Sequence, residues 1–397
     1  MIEDFIKENN ISIIKNSQES IQIRTVYKES SNPKYPFGEA VNNALEYTLN
    51  LGKSMGFRTK NIDGYCGYIE FGEGEELVGI IGHLDVVPES ENWTYPPFSG
   101  TVSNGCIFGR GSIDDKGPVI SSLYAMKYVM DNCKVNKRVR LILGLNEEND
   151  WKCIEYYKAN EEIPSIGFSP DADFPCIYAE KTVLTQELKT DISQFEDKNI
   201  KIKNIDCNNN AVNVVPKICS VVLNINPDKI NIKDFIYKIK TIIDELKFEI
   251  DIYKIDEEEI KLTSYGVSAH AAHPDLGVNS ISRLIIVLDK IFKLYGYTID
   301  LFDFFTNYIN TQFNGENLGI NFEDESGKLT LNVGYFGIEN NFMKIKMNLR
   351  VPVHTDITDI GSTFMKNTST YPNLDFDISN YMPGLYIDPN SRLVQTL

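Results

Sequence analysis

The chain has 397 residues, and 42% of them are hydrophobic, which is ample material for packed cores. At roughly 100–200 residues per domain, this length predicts two or three domains. The formal net charge of -17 disfavours binding to nucleic-acid phosphates, and no run approaches the ~18 apolar residues of a membrane span. The acidic N-terminus lacks the apolar core of a secretory signal. The seven scattered cysteines contain no Cys-x-x-Cys pair, which predicts reduced thiols and a cytoplasmic location.

Helix-like and strand-like segments alternate over the first 182 residues, which predicts an α/β domain. The stretch LVGIIGHLD at 77–85 is a continuous apolar run, typical of a buried central strand. Other segments continue the alternation, with helices predicted at 41–57 and 120–132 and strands at 64–72, 137–149 and 165–174. Several of these strands end in acidic or imidazole side chains. Open α/β sheets bind ligands at the carboxyl ends of their strands.

A second domain, of α+β type, is predicted over residues 183–380. Its strands are expected at 200–205, 218–226 and 248–255, its helices at 233–246 and 279–296, and a strand meander at 328–353. The final segment, 381–397, again has the pattern of the first domain, with a strand, a turn and the beginning of a helix. We therefore expect 381–397 to return to the first domain, and the second domain to be an insertion.

Polar side chains of ligand type follow the predicted strands of the first domain: His83, Asp114, Glu147, Glu148 and Asp171. Taken singly, each has an ordinary explanation, such as a solvated turn for the two glutamates or a helix N-cap for the pair Asp114-Asp115. Together, carboxylates that converge on one place repel each other unless a cation neutralises them. Imidazole with carboxylate is a ligand set for zinc or manganese. The pattern therefore predicts a metal centre.

Asp85 lies two residues after His83, so both side chains point to the same face of the strand. Its carboxylate is expected to accept the second ring N–H of His83, which fixes the tautomer and orientation of a metal-binding imidazole. The adjacent acids Glu147 and Glu148 can divide their work, because one can bind metal while the other serves as a general base.

These residues lie in motifs that resemble those of the co-catalytic zinc exopeptidases, which include carboxypeptidase G, aminoacylase and tripeptidase T. The motifs are GHLDVVPE, NWTYPPFSG, GRGSIDDKGP, GLNEENDWK and GFSPDADFP, and they follow one another from residue 82 to residue 175. The PepV-type dipeptidase branch is the most similar. The resemblance implies a mixed sheet flanked by helices, interrupted by an α+β lid domain, with the cleft between the two.

The resemblance also implies a role for each residue of the predicted metal centre. His83, Asp114 and Asp171 would bind one zinc ion, with manganese as an alternative. Asp114 would bridge to a second ion that Glu148 also binds, Glu147 would be the general base, and Asp85 would orient the histidine.

In the second domain, GVSAHAAHPDLGVNS at 266–280 resembles the family segment whose histidine stabilises the oxyanion. His270 would take this role. Asn213 and Arg350 match positions that bind the backbone and the terminal carboxylate of the substrate. His273 and His354 match no family function.

The resulting expectation is a monomeric, metal-dependent dipeptidase that hydrolyses short peptides with a free C-terminal carboxylate, by a metal-activated water. An N-acyl amino acid amidohydrolase is the alternative within the enzyme class. The relatives continue for several dozen residues beyond the equivalent of Leu397, and a histidine there completes the second metal site. The expectation is therefore an incomplete second site, and a catalytically impaired remnant that keeps the fold and part of the metal binding is a further alternative.

Overall fold

The structure is a computed structural model, and it describes residues 2–207 and 211–397. Contacts along the chain divide it into two compact units, Met1–Phe174 and Pro175–Leu397. The boundaries predicted from the sequence, after residues 182 and 380, stay predictions about the family domains. Within the described residues, none of the helices combines the length and the apolar content that crossing a bilayer requires.

Unit 1 contains a mixed sheet with helices packed against it. Its helices are α1 (Ile2–Gln22), α2 (Glu39–Ser54), α3 (Lys116–Asn132) and α4 (Lys152–Asn160). Its strands are β1 (Arg58–Ile62), β2 (Cys66–Phe71), β3 (Leu77–His83), β4 (Thr101–Ser103), β5 (Cys106–Phe108), β6 (Arg138–Gly144) and β7 (Ile166–Phe168).

The main sheet of unit 1 has the strand order β1–β2–β6–β3–β7. Strand β3 runs parallel to both of its neighbours, β6 and β7, whereas β1, β2 and β6 pair antiparallel. The apolar side chains of β3 and β6 are mostly buried, as a central position in a sheet covered by helices requires. Because β3, β6 and β7 are parallel, their carboxyl ends meet at one edge of the sheet.

A glycine in β3 allows α3 to approach the sheet closely. A Cβ atom at Gly82 would lie 2.5 Å from Oδ2 of Asp115 and 2.6 Å from Cγ2 of Val119. Contacts this short are not tolerated, so any side chain at this position would push the beginning of α3 away. The absence of a side chain at Gly82 therefore fixes the distance between β3 and the loop that carries Asp114.

The described part of unit 2 contains two four-stranded antiparallel sheets, two short two-stranded ones and several helices. The helices are α5 (Ile232–Leu246), α6 (Ser280–Leu294), α7 (Asp300–Phe304), α8 (Ile357–Thr368) and α9 (Arg392–Thr396). The strands are β8 (Ala179–Glu180), β9 (Thr182–Asp191), β10 (Ile200–Asp206), β11 (Ile218–Ile225), β12 (Ile250–Lys254), β13 (Glu259–Tyr265), β14 (Glu323–Asp324), β15 (Gly327–Lys328), β16 (Thr330–Glu339), β17 (Phe342–Val351), β18 (Asp375–Met382) and β19 (Leu385–Tyr386).

The two larger sheets of unit 2 have the orders β10–β11–β13–β12 and β16–β17–β9–β18. Their apolar faces share a single buried core with α5, α6 and α7. Helix α6 is apolar over most of its surface and almost entirely buried, and the side chain of Asn279 caps its first turn by accepting the N–H of Ser282 at 3.0 Å. In the final segment, β19 pairs with β8 inside unit 2.

One expectation from the cysteine pattern is wrong. Cys207 and Cys219 form a disulfide in unit 2, although the scattered spacing predicted reduced thiols throughout. The pair lies at the end of β10 and near the beginning of β11, which are neighbours in one antiparallel sheet. Strand pairing, which the spacing along the sequence does not reveal, brings the two sulfur atoms together. The other cysteines are free thiols: Cys66, Cys106, Cys133, Cys153 and Cys176.

Candidate metal centre and substrate-binding residues

The carboxyl ends of three parallel strands carry the residues of the candidate metal centre. His83 is the last residue of β3 and pairs with Gly144, the last residue of β6. Two glutamates follow Gly144 after a short turn, and Asp171 follows β7. Ser169 donates its hydroxyl to the carbonyl of Ile81 at 2.9 Å, which fastens the Asp171 loop to β3. Asp114 reaches the same edge from the loop that precedes α3.

The imidazole of His83 is buried, and its Nε2 atom faces the carboxylates. Nε2 lies 2.9 Å from Oδ1 of Asp114, 3.3 Å from Oδ2 of Asp171 and 3.9 Å from Oε2 of Glu147. Two overlapping groups have ligand atoms within 4.8 Å of one another: His83 with Asp114 and Asp171, and His83 with Glu147 and Glu148. The structure thus brings together all five residues that the sequence predicted for the centre.

Asp85 is also in the centre, but its contacts differ from the expected one. Nδ1 of His83 lies 3.0 Å from the backbone carbonyl of Asp85 and 3.5 Å from its carboxylate. The carbonyl can only accept, so Nδ1 carries the proton, and Nε2 is left to face the acids. The buried carboxylate of Asp85 instead accepts the backbone N–H groups of Glu147, at 3.2 Å, and Glu148, at 3.0 Å. One residue therefore orients the imidazole and holds the loop of the two glutamates.

Sequence reasoning missed two buried residues beside Asp114. Asp115 is fully buried, and its Oδ2 accepts the backbone N–H of His83 at 2.9 Å. It precedes α3 but makes no side-chain capping bond, so the N-cap explanation does not hold for it. Lys116 is fully buried as well, and its Nζ donates to the carbonyls of Ser20, at 3.0 Å, and Ile23, at 2.6 Å. Both residues stand in the SIDDKGP motif, which was the available signal.

Burial raises the pKa values of three acids in this region: Asp115, Glu147 and Glu148. Burial, with the nearby charge of Asp114, raises the pKa of Glu148 to about 7. Burial also raises the pKa of Glu147 and takes that of Asp115 to about 8. Burial would lower the pKa of His83, but its carboxylate neighbours outweigh that effect and raise it. The centre therefore favours bound positive charge, as protons or as a metal ion.

This donor set fits a divalent transition-metal ion. An imidazole nitrogen whose tautomer is fixed lies among carboxylate oxygens, and no thiolate is among the grouped side chains of the described residues. Zinc and manganese accept this combination, whereas calcium prefers oxygen ligands alone.

His270 of unit 2 presents a fixed ring tautomer. Its Nδ1 accepts the backbone N–H of Ala272 at 3.2 Å, so in the neutral ring the proton is on Nε2. Burial lowers the pKa of His270, and the positive charge of Arg350 and the neighbouring His273 lower it further. The neutral ring, with Nε2–H as a donor, is therefore the main form at neutral pH.

Arg350 lies half-buried on β17, and its Nε donates to Oδ1 of Asn348 at 3.2 Å. Within residues 2–207 and 211–397, Arg350 is in no ion pair closer than 4.0 Å, and burial lowers its pKa. The exposed Asn213 lies on a loop that pairs with the backbone on either side of His270. His354, by contrast, is exposed and bonds Glu325 at 2.8 Å.

Comparisons with known proteins identify the family of this chain. The family model described as "Peptidase family M20/M25/M40" matches residues 79–391. "Putative dipeptidase YtjP" of Bacillus subtilis (strain 168) is 37% identical over 358 residues, which cover 89% of this chain and 76% of the relative. "Putative dipeptidase SH1171" of Staphylococcus haemolyticus (strain JCSC1435) is 30% identical over 404 residues, which cover 100% of this chain and 84% of the relative.

Two solved structures share the fold. An M20 family metallo-carboxypeptidase from Sulfolobus solfataricus aligns with a TM-score of 0.50 at 16% identity, over 96% of this chain and 81% of that one. The aminoacylhistidine dipeptidase from Vibrio alginolyticus aligns with a TM-score of 0.50 at 12% identity and the same coverage. The α/β class with a mixed sheet and flanking helices is confirmed. Since the family model spans most of the chain and the curated relatives match along nearly all of it, the protein belongs to peptidase family M20/M25/M40.

Proposed function

We propose that this protein is a metal-dependent dipeptidase that hydrolyses short peptides with a free C-terminal carboxylate. The observation that carries the proposal is the convergence of His83 with four carboxylates at the carboxyl edge of the unit 1 sheet. The two curated relatives described above are both named as dipeptidases, which favours this reading over that of an N-acyl amino acid amidohydrolase.

In this proposal, His83, Asp114 and Asp171 hold one divalent ion, and Glu148 with Asp114 holds a second. Zinc is the ion we propose, and manganese would suit the same ligands. When bound, such ions polarise the scissile carbonyl and lower the pKa of a water molecule. In the neutral ring of His83, the backbone carbonyl of Asp85 holds the proton on Nδ1, which leaves Nε2 as the nitrogen that a metal ion can bind.

Glu147 is the proposed general base. Its raised pKa places proton uptake closer to neutral pH than an exposed glutamate would allow, and this suits an acid that takes a proton and then returns it. The backbone N–H groups of Glu147 and Glu148 both donate to the Asp85 carboxylate, which holds the segment that carries the two glutamates. Glu147 would take a proton from the attacking water and return it to the leaving amine.

Unit 2 supplies the proposed groups for the substrate itself. Nε2–H of His270 would donate to the oxyanion, because its other nitrogen is already occupied by Ala272. Arg350 would bind the terminal carboxylate, which suits a guanidinium that is half-buried and has no ion pair among the described residues. Asn213 would bind the peptide backbone.

We also propose that the enzyme is a cytoplasmic monomer. Five of the seven cysteines are free thiols, which suits a reducing compartment, and the proposal implies that the Cys207–Cys219 disulfide is reduced there. We expect small-angle scattering to give the mass of one chain. We expect cell fractionation to place the protein with the soluble contents. A dimer mass would contradict the proposed monomer.

The test is to incubate the full chain, loaded with zinc or manganese, with a panel of dipeptides and to measure the release of amino acids. We expect cleavage of dipeptides and little action on dipeptides with an amidated C-terminus. Glu147→Gln should lower kcat by about 10²-fold or more, since general-base catalysis contributes on that order. Glu155→Gln, an acid on α4 outside the grouped metal ligands, is the matched control.

Two results would contradict the proposal. One is faster turnover of N-acetyl amino acids than of any dipeptide, which would favour an amidohydrolase. The other is equal activity of the parent chain and Glu147→Gln.

A further inference from the structure

A buried asparagine of unit 2 reaches the loop that carries Asn213. Asn332, on β16, is 1% exposed. Its Nδ2 donates to the carbonyl of Val212 at 3.0 Å and to the carbonyl of Val214 at 2.9 Å. These two carbonyls stand on either side of Asn213, so a single amide group uses both of its N–H donors on one short loop.

The orientation of this amide is fixed by a second asparagine. Asn279 donates its Nδ2 to Oδ1 of Asn332 at 3.2 Å and to the carbonyl of Val333 at 2.8 Å. Its own oxygen caps α6. If the Asn332 amide were rotated by half a turn, its oxygen would face two carbonyl oxygens and its nitrogen would face a donor. Asn279 therefore holds Asn332 in the one orientation that can bind the loop.

The loop in turn is bonded to the backbone around His270. The N–H of Ala271 donates to the carbonyl of Asn213 at 2.9 Å, and the N–H of Val215 donates to the carbonyl of Ala269 at 2.8 Å. These two bonds lie on either side of His270, which itself pairs with Val214 in an isolated β-bridge.

A glycine leaves the space that this arrangement needs. Gly334 lies two residues after Asn332, at a bulge in the pairing of β16 with β17. A Cβ atom there would lie 2.5 Å from both Cα and the carbonyl oxygen of Val212. The loop is thus packed directly on β16, with the Asn332 amide as its polar contact.

We propose that Asn332 is a positioning residue that sets the geometry of Asn213 and His270, with Asn279 as its orienting partner. The inference rests on the proposed function, in which Asn213 and His270 act on the substrate. Asn332 bonds the carbonyls on either side of Asn213, and through that segment it acts on the backbone around His270. Displacement of a catalytic group by about 1 Å can lower a rate by about 10²-fold.

The test compares Asn332→Leu, which keeps the size but removes the donors, with Asn279→Ser, which can still cap α6 but cannot orient the amide. Phe364→Leu is the control, because Phe364 is a buried core residue of unit 2 on α8, stacked on Phe376. It should lower the melting temperature without touching either loop. The readouts are kcat and KM on the best dipeptide, and ¹⁵N NMR of the four histidines in the metal-free chain.

We expect Asn332→Leu to lower kcat by about 10²-fold and to move the His270 ring resonances, while those of His354 stay in place. Asn279→Ser should change kcat and the His270 resonances in the same direction but by less. This variant tests the positioning role if Asn332→Leu does not fold. Phe364→Leu should change only the melting temperature. Unchanged kcat and unchanged His270 resonances in a folded Asn332 or Asn279 variant would overturn the proposal.

The NMR comparison separates this inference from the proposed function. If the parent chain cleaves no dipeptide, the proposed function fails, but displaced His270 resonances would still establish that Asn332 positions the loop. If the parent chain is active and the variants resemble Phe364→Leu in both readouts, the positioning role alone fails.

Discussion

At the scale of single residues, Asp85 connects two parts of the metal centre that come from different strands. Its carbonyl accepts from the His83 ring, and its carboxylate accepts from the backbone of both Glu147 and Glu148. A buried carboxylate with two charge-assisted bonds is a strong restraint. The proposed base and a proposed metal ligand are therefore held relative to the imidazole by one side chain.

Replacing Asp85 with asparagine tests this restraint. One oxygen becomes an amide nitrogen that faces a backbone N–H, so one bond is lost and two donors oppose each other. We expect Asp85→Asn to lower kcat by about 10-fold to 10²-fold through displacement of the loop, and to weaken metal binding. The measurements are steady-state kinetics and metal titration.

Asp150→Asn is the matched control, because Asp150 is an exposed acid of the same loop region that pairs with Lys152. This change should leave both quantities close to those of the parent chain. If Asp85→Asn behaved like Asp150→Asn, the carboxylate would not be holding the glutamate loop.

His270 gives a prediction about protonation in unit 2. Its pKa is lowered by burial, and then by the positive charge of Arg350. Arg350→Gln removes that charge, so the pKa of His270 should rise toward the value of an exposed histidine. It should stay below that value, because burial still lowers it. Histidine NMR titration of the parent chain and the variant measures this directly. A His270 pKa that does not move, or that falls, would show that the guanidinium does not act on the ring.

The residues that sequence reasoning found and those it missed differ in the kind of contact they make. The metal-centre side chains stand in motifs and at strand ends, which are visible along the chain. Asp115 acts by accepting a backbone N–H from a residue 32 positions away, and Asn332 by donating to carbonyls up to 120 positions away. Neither partner can be identified until the strands are paired in space.

At the scale of elements, the centre depends on the parallel pairing of β3 with β6 and β7. Apolar runs that end in acids predicted these strands, because buried parallel strands have that pattern. The pattern does not specify which strands are neighbours. The order β1–β2–β6–β3–β7 places β6 between β2 and β3 although β6 follows both in sequence.

Gly82→Ala tests the close packing of α3 under β3. The new methyl group would meet Asp115 at 2.5 Å and Val119 at 2.6 Å, so α3 must move. We expect a loss of about 1–3 kcal/mol in the free energy of unfolding, as for other overpacked cores, and weaker metal binding because Asp114 moves with α3. Urea denaturation and metal titration measure the two effects.

Gly361→Ala in α8 is the control for adding a methyl group. Gly361 has no atom within 4 Å of a Cβ built there, and it lies inside a helix. Alanine should stabilise the protein by about 0.5–1 kcal/mol, because glycine weakens helix interiors. Equal effects of the two changes would mean that α3 tolerates the extra group without moving.

At the scale of the whole molecule, the net charge disfavoured nucleic-acid partners, but it did not locate charge within the fold. The net charge of -17 is spread over 56 acidic and 39 basic residues. What distinguishes the centre is that Glu147 and Glu148 are partly buried, and burial raises the pKa of both. This burial is a property of packing, and it links stability to pH and to metal.

The sign of that linkage follows from the direction of the shifts. Glu148 has a pKa of about 7 in the folded protein and an ordinary pKa of 4.5, so the folded metal-free protein binds its proton more tightly than the unfolded chain does. Its contribution to stability is present below pH 4.5 and is lost as the pH rises through 7. The raised pKa of His83 acts in the same direction. The pKa of Lys116 is lowered to about 7, so this residue makes stability rise with pH, but only above about pH 7.

The metal-free protein should therefore melt at a lower temperature at pH 7 than at pH 5, in the presence of a chelator. Zinc or manganese competes with protons for the same ligands, so added metal should raise the melting temperature more at pH 7 than at pH 5. Glu148→Gln removes one proton-binding acid and should reduce both effects. If the chelated parent were equally stable at the two pH values, the carboxylates would not be crowded in solution as they are in this structure. Because the readout is thermal unfolding, the result does not depend on finding the right substrate.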